Sequence, residues 1–160
     1  MTRVPRAGRR MRARGFTLIE LLIVMVVMAV AAVIVLPGVR AGTQQREVRM
    51  ALQHFVSAVR YSTAIAIRER RTVELVLWPE QSSYAVEGAG EDRDLPGIAS
   101  FGELSGGRYE GIDQVVFEFY PTGGSTGGTV EFRFETGSGQ QVYTLAIDPL
   151  ISRVEVERAY

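Results

Sequence analysis

The sequence predicts an α+β chain: a long amino-terminal helix, transmembrane and then amphipathic, packed on an antiparallel β-sheet domain. Three observations predict it. Residues 16–36 form an apolar run in which only Thr17 and Glu20 are clearly polar. Residues 40–71 then repeat apolar side chains with the helical period. From residue 72 onward the period falls to two, in short segments separated by Gly, Pro and Ser. The expected organisation is a basic leader at 1–15, a transmembrane helix at 16–36, its amphipathic continuation at 37–71, and a β-rich domain at 72–160.

The leader holds six arginines (Arg3, Arg6, Arg9, Arg10, Arg12, Arg14) and no acid. The apolar run behind it has 21 residues. As a helix it would be about 30 Å long, the thickness of a hydrocarbon core. The positive-inside rule places the arginine end in the cytoplasm. Glu20 is out of keeping with a plain anchor. A carboxylate costs roughly 2.5–3.5 kcal/mol at the centre of a membrane helix, less near its end, and such groups are functional by default. An ordinary signal peptide is the competing reading, with Ala29-Val30-Ala31 as its cleavage site. Against it, the run continues through Val33-Ile34-Val35-Leu36, and Glu20 interrupts the apolar stretch. Arg9-Arg10 suggests a twin-arginine signal, but the arginines are scattered through the whole leader.

The stretch Gly15-Phe16-Thr17-Leu18-Ile19-Glu20-Leu21-Leu22 closely resembles the processing site of type IV prepilins and type II secretion pseudopilins. The resemblance implies a pilin-like fold and cleavage between Gly15 and Phe16 by prepilin peptidase on the cytoplasmic face. It also implies N-methylation of Phe16. Cleavage would create an α-amino group, with a reference pKa of about 7.7–8.0, at the bilayer edge. Glu20 lies four residues on, about 6 Å along a helix axis. In the family this carboxylate is thought to pair with the Phe16 amine of a neighbouring subunit during filament assembly. A charge that is costly alone in lipid becomes tolerable when a partner chain supplies its opposite.

Pro37-Gly38 would end a helix in most globular proteins. Yet Val48, Leu52, Phe55 and Val59 recur at helical spacing beyond it, with Arg46, Glu47, Arg49, Gln53 and Arg60 mostly on other faces. One helix, bent or loosened near Pro37, is therefore expected; pilins commonly carry a proline near this place. His54 is the only histidine, and no second histidine or cysteine can join it in a typical zinc site. It is expected at the surface or at the core boundary. Strands are expected at 72–78 and 83–87, with Trp78 covering a core edge. Residues 88–111 are the least regular stretch, rich in glycine and acids. Glu91, Asp92 and Asp94 raise the idea of Ca²⁺, but they match no EF-hand spacing, and a solvated acidic loop is expected.

Further strands are expected at 115–120, 129–134, 142–147 and 152–157. Residues 121–128, Pro-Thr-Gly-Gly-Ser-Thr-Gly-Gly, lack the Lys-Ser/Thr ending of a phosphate loop and precede no helix. A flexible hairpin connection is the expectation. The phrase Phe119-Tyr120-Pro121-Thr122-Gly123, followed by Gly127-Gly128, resembles a segment of H-type minor pseudopilins and related minor pilins.

Composition narrows the function classes. The net charge is zero, but it is unevenly spread. Residues 37–160 carry 12 arginines against 17 acids, a net −5. A mildly acidic domain argues against non-specific nucleic-acid binding. There is no cysteine, so no disulfide, thiol nucleophile or thiolate metal site. One histidine and no Gly-x-Ser-x-Gly or zinc motif leave little for an enzyme. No catalytic residue, cofactor or metal is expected.

The resemblance thus implies a structural subunit: a minor pseudopilin of a type II secretion pseudopilus, or a similar type IV minor pilin. Its partners would be other pilin or pseudopilin subunits, prepilin peptidase and the inner membrane, with the carboxyl-terminal domain periplasmic. The alternative is a minor pilin that binds DNA for natural transformation. Some relatives cluster arginines near the carboxyl terminus. Here Glu155 and Glu157 alternate with Arg153 and Arg158 and would repel phosphate.

Overall fold

The computed structural model describes residues 17–90, 92–111 and 113–159, the side chains of 33–42 excepted. The chain divides into two compact units, Met1–Gly38 and Val39–Tyr160. Helix α1 is assigned over Leu18–Glu69, passing through Pro37. It stops where Arg70 takes the left-handed φ of 54°, a conformation that ends helices by turning the chain off the axis. Arg71 then ties the corner, 2.9 Å from Glu69 and 2.7 Å from Glu87.

Within the second unit, α1 buries one stripe. Val48, Ala51, Phe55, Val59, Ser62 and Ala66 are all sealed from solvent, and their spacings of three and four keep them on one face. The apolar pattern located this face through Val48, Phe55 and Val59. Leu52 is only half-buried, packed at the margin of this stripe. The Ser62 hydroxyl is satisfied by donating to the Ala58 carbonyl at 2.9 Å.

Among the described residues nine strands follow: β1 Val73–Trp78, β2 Ser83–Val86, β3 Arg93–Asp94, β4 Ala99–Gly106, β5 Arg108–Glu110, β6 Gln114–Phe119, β7 Gly128–Thr136, β8 Gly139–Ile147 and β9 Val154–Ala159. They form two antiparallel sheets, ordered β3-β2-β1-β6-β5 and β4-β7-β8-β9. The α+β, pilin-like architecture read from the sequence is present. The sheet is divided, and two local expectations are overturned.

Residues 88–111 are not a loop. They contain β3, β4 and β5. The alternation in β4 is hidden by Gly102 and by a register shift between Phe101 and Leu104. An interior glycine and a bulge each break the period that marks a strand. Nor is 121–128 a flexible hairpin. β6 pairs with β1, and β7 pairs with β4 and β8, so this segment carries the chain from one sheet to the other. Ser125 is buried. Its amide donates to the Pro149 carbonyl at 2.9 Å, and the Ser152 hydroxyl donates to the Gly123 carbonyl at 2.9 Å. Ser152 itself, with φ of 52°, belongs to this corner, and the last strand starts at Val154 instead of 152.

Leu75 stands opposite Val86 on one side and Phe117 on the other, and Phe132 and Phe134 supply the facing sheet's share of the core. On the outer face, Glu74 and Glu118 are directly cross-strand, a repulsive pairing. Arg108 relieves it, 3.0 Å from Glu74, 3.0 Å from Glu110 and 3.4 Å from Glu118. Trp78 is half-buried at the end of β1.

Tyr84 is 3% exposed, and among the described residues its hydroxyl has no hydrogen-bond partner. Burial pushes its pKa up. An unsatisfied buried hydroxyl costs about 1–3 kcal/mol. Tyr84→Phe is therefore expected to raise stability by about 1 kcal/mol, seen as a higher melting temperature. A loss of similar size would show that the hydroxyl is satisfied. The folded hydroxyl holds its proton more tightly than the unfolded one. Its contribution is thus intact below the ordinary tyrosine value of 10.0 and lost as pH rises above it, and the variant should lack that alkaline loss.

Candidate assembly site

The first turn of α1 has a defined start. Thr17 precedes the helix, and the Glu20 amide donates to the Thr17 hydroxyl at 3.3 Å and to its carbonyl at 3.1 Å. Thr17-x-x-Glu20 is the capping-box spacing, in which a hydroxyl satisfies an orphan amide and the acid sits in the third helical position. A carboxylate there also meets the positive end of the helix dipole. The sequence carried this signal in plain form, but the reading above used Glu20 only as a charge in an apolar run.

Every described side chain from 17 to 32 is exposed. Leu18 is 88% exposed, and the most covered large side chain of the segment, Val24, is still 49% exposed. There is no buried stripe and no polar stripe. A helix apolar on all sides needs an apolar surrounding that its own chain does not supply. Among the described residues, Glu20 forms no ion pair. No described helix is long and apolar enough to cross a membrane; the run predicted to do so, 16–36, extends beyond the described residues and side chains at both ends. Gly15 and Phe16, the expected processing pair, also lie outside the described residues.

The other residues singled out by sequence are dispersed. His54 is exposed on α1, its Nδ1 2.9 Å from an Arg93 guanidinium nitrogen. Asp92 and Asp94 are exposed, and Glu91 lies outside the described residues. Among the described residues no group of three or more His, Asp or Glu is placed to hold a metal ion. Arg153 and Arg158 have different neighbours. Arg158 stacks over Tyr143 on the neighbouring strand, 5.9 Å from the ring centre. Arg153 lies with Arg60 in a hollow between α1 and the corner before β9.

Comparison with known proteins bears on the same segment. The prokaryotic N-terminal methylation motif matches residues 10–36, a span that contains Gly15, Phe16 and Glu20. The chain is also 27% identical over 124 residues to the Type II secretion system protein H of Xanthomonas campestris pv. campestris. This is a pseudopilin-like chain. The alignment covers 76% of the pseudopilin-like chain and 72% of that relative, so the likeness reaches well past the amino-terminal motif into the sheets. No solved structure matches the pseudopilin-like chain.

Proposed function

We propose that the chain is a minor pseudopilin, a structural subunit of a type II secretion pseudopilus. Prepilin peptidase cuts between Gly15 and Phe16, and Phe16 is methylated. Residues 16–36 hold the precursor in the inner membrane, leader inside and carboxyl-terminal domain in the periplasm. The mature chain then enters the filament through its amino-terminal helix, where Glu20 meets the Phe16 amine of the next subunit. The subunit performs no catalysis; its work is packing and register.

One observation carries this reading: a lone carboxylate, held in the first helical turn by the Thr17 cap, on a segment whose apolar side chains all face outward. The apolar surface calls for lipid or other such helices. The acid calls for a positive charge that this segment lacks. Neighbouring copies with a free amino terminus four residues before Glu20 would supply both.

The deciding experiment is mass spectrometry of the mature amino terminus from cells that hold the processing enzyme. The expected species begins at Phe16 and is one methyl group heavier than the bare chain. A start after Ala31 would replace this function with that of an ordinary secreted protein.

A further inference from the structure

We infer that the second unit carries a carboxylate-binding cleft between α1 and β2, lined by residues other than those of the assembly site. The cavity is about 440 Å³ and is lined by His54, Ser57, Tyr61, Tyr84, Val86 and Arg93 among others, with no acidic side chain among the described residues of its wall. A second hollow of about 290 Å³ adjoins it. His54, Tyr84 and Arg93 line both, so these three form the seam.

The chemistry at that seam is one of unused donors. Arg93 makes no ion pair among the described residues. It is held instead at the cleft by His54, whose Nδ1 accepts from it at 2.9 Å. That bond occupies one N–H of a fork that has five. The remaining donors suit a carboxylate, which accepts two parallel N–H bonds from a guanidinium. Beside it the Tyr84 hydroxyl is buried without an acceptor among the described residues, although buried donors are paired almost everywhere. An idle buried donor, a pre-positioned guanidinium and a concave wall whose described residues include no acid converge on one spot. Asp94 lines only the adjoining hollow, which leaves the larger cleft as the side open to an anion. Ala58, Ala85, Val86 and Ala89 complete an apolar floor. The matching ligand is therefore a single carboxylate on a short apolar body, either an acidic side chain on a protein segment or a small free acid.

The single histidine makes the test direct. The full chain in detergent micelles is titrated at fixed pH with isovalerate, isovaleramide, and the peptides acetyl-Ala-Glu-Ala-amide and acetyl-Ala-Gln-Ala-amide, following the His54 ring resonances. The two carboxylates are expected to give saturable shifts with half-saturation on the order of 1–10 mM, and the two amides none. Arg93→Gln should weaken binding at least tenfold, while Arg93→Lys should keep it within a few-fold. Tyr84→Phe should weaken it without lowering the melting temperature. Tighter binding of the peptide identifies a protein segment as the natural source, and tighter binding of isovalerate identifies a free acid. Absence of saturation, equal shifts from the amides, or full binding by Arg93→Gln would each overturn the assignment. None of these readouts depends on filament assembly, so the cleft and the proposed function fail separately.

Discussion

Glu20→Ala is expected to yield a subunit that is inserted, cleaved and methylated but nearly absent from the filament. In the proposed assembly the acid and the amine are buried together. Removing one partner of a buried pair costs about 3–5 kcal/mol, because the other charge is left uncompensated. At 1.4 kcal/mol per factor of ten, incorporation should fall by roughly a hundredfold or more. Glu20→Gln should fall almost as far, since its shape is kept and its charge is not. A second role must be separated from this one, because Glu20 also occupies the acid position of the helix cap. Thr17→Ala removes the capping hydroxyl and leaves the carboxylate. Loss of a cap costs about 1 kcal/mol, so that variant should lose only several-fold. The measurement is the ratio of subunit in sheared filaments to subunit in membranes, with the amino terminus of each pool checked by mass. Wild-type incorporation of Glu20→Ala would remove the pairing from the mechanism. Equal losses in Glu20→Ala and Thr17→Ala would reduce Glu20 to a helix-start residue.

The features that were legible in the sequence are those set by local pattern. Val73, Leu75 and Leu77 alternate cleanly and are all buried. The same holds for Val130, Phe132 and Phe134. Glu20 was conspicuous because a single acid in an apolar run needs no three-dimensional context to stand out. Features set by distant contacts were hidden. Residues 121–128 look like a hairpin turn, and only the bonds of Gly123 and Ser125 to the 149–152 corner show that they pass between sheets. β4 was hidden because Gly102 and the bulge after Phe101 erase its period. Arg93 lies in the two-residue β3, too short to show a period, and the sequence left it in the same irregular stretch. The meeting of Arg93 with His54 spans 39 positions, and no spacing rule links residues so far apart. Local chemistry therefore pointed to Glu20, the proposed assembly residue, while the proposed cleft could be found only from the fold.

Phe55→Ala is the substitution expected to damage the domain most. Phe55 is fully buried on α1 and touches both sheets. Its ring meets Tyr84 of the first sheet edge-on at 5.3 Å, and Phe132 and Phe101 of the second at 5.1 and 6.5 Å. Truncating a buried Phe costs about 3–5 kcal/mol through lost transfer energy and the cavity left behind. Edge-to-face pairs add about 0.5–1.5 kcal/mol each beyond burial. Typical domains hold only about 5–15 kcal/mol in all. Thermal unfolding of the full chain in micelles, followed by near-ultraviolet circular dichroism, should therefore show a fall of about 10–25 °C. Met50→Ala supplies the control. It lies on the same helix, is 49% exposed, and should change stability by no more than about 0.5 kcal/mol. A drop of only two or three degrees for Phe55→Ala would mean that α1 is not docked across both sheets. In that case Val48, Val59 and Ala66, buried on the same stripe, would have to be reassigned with it, because a helical face is covered or uncovered as a unit.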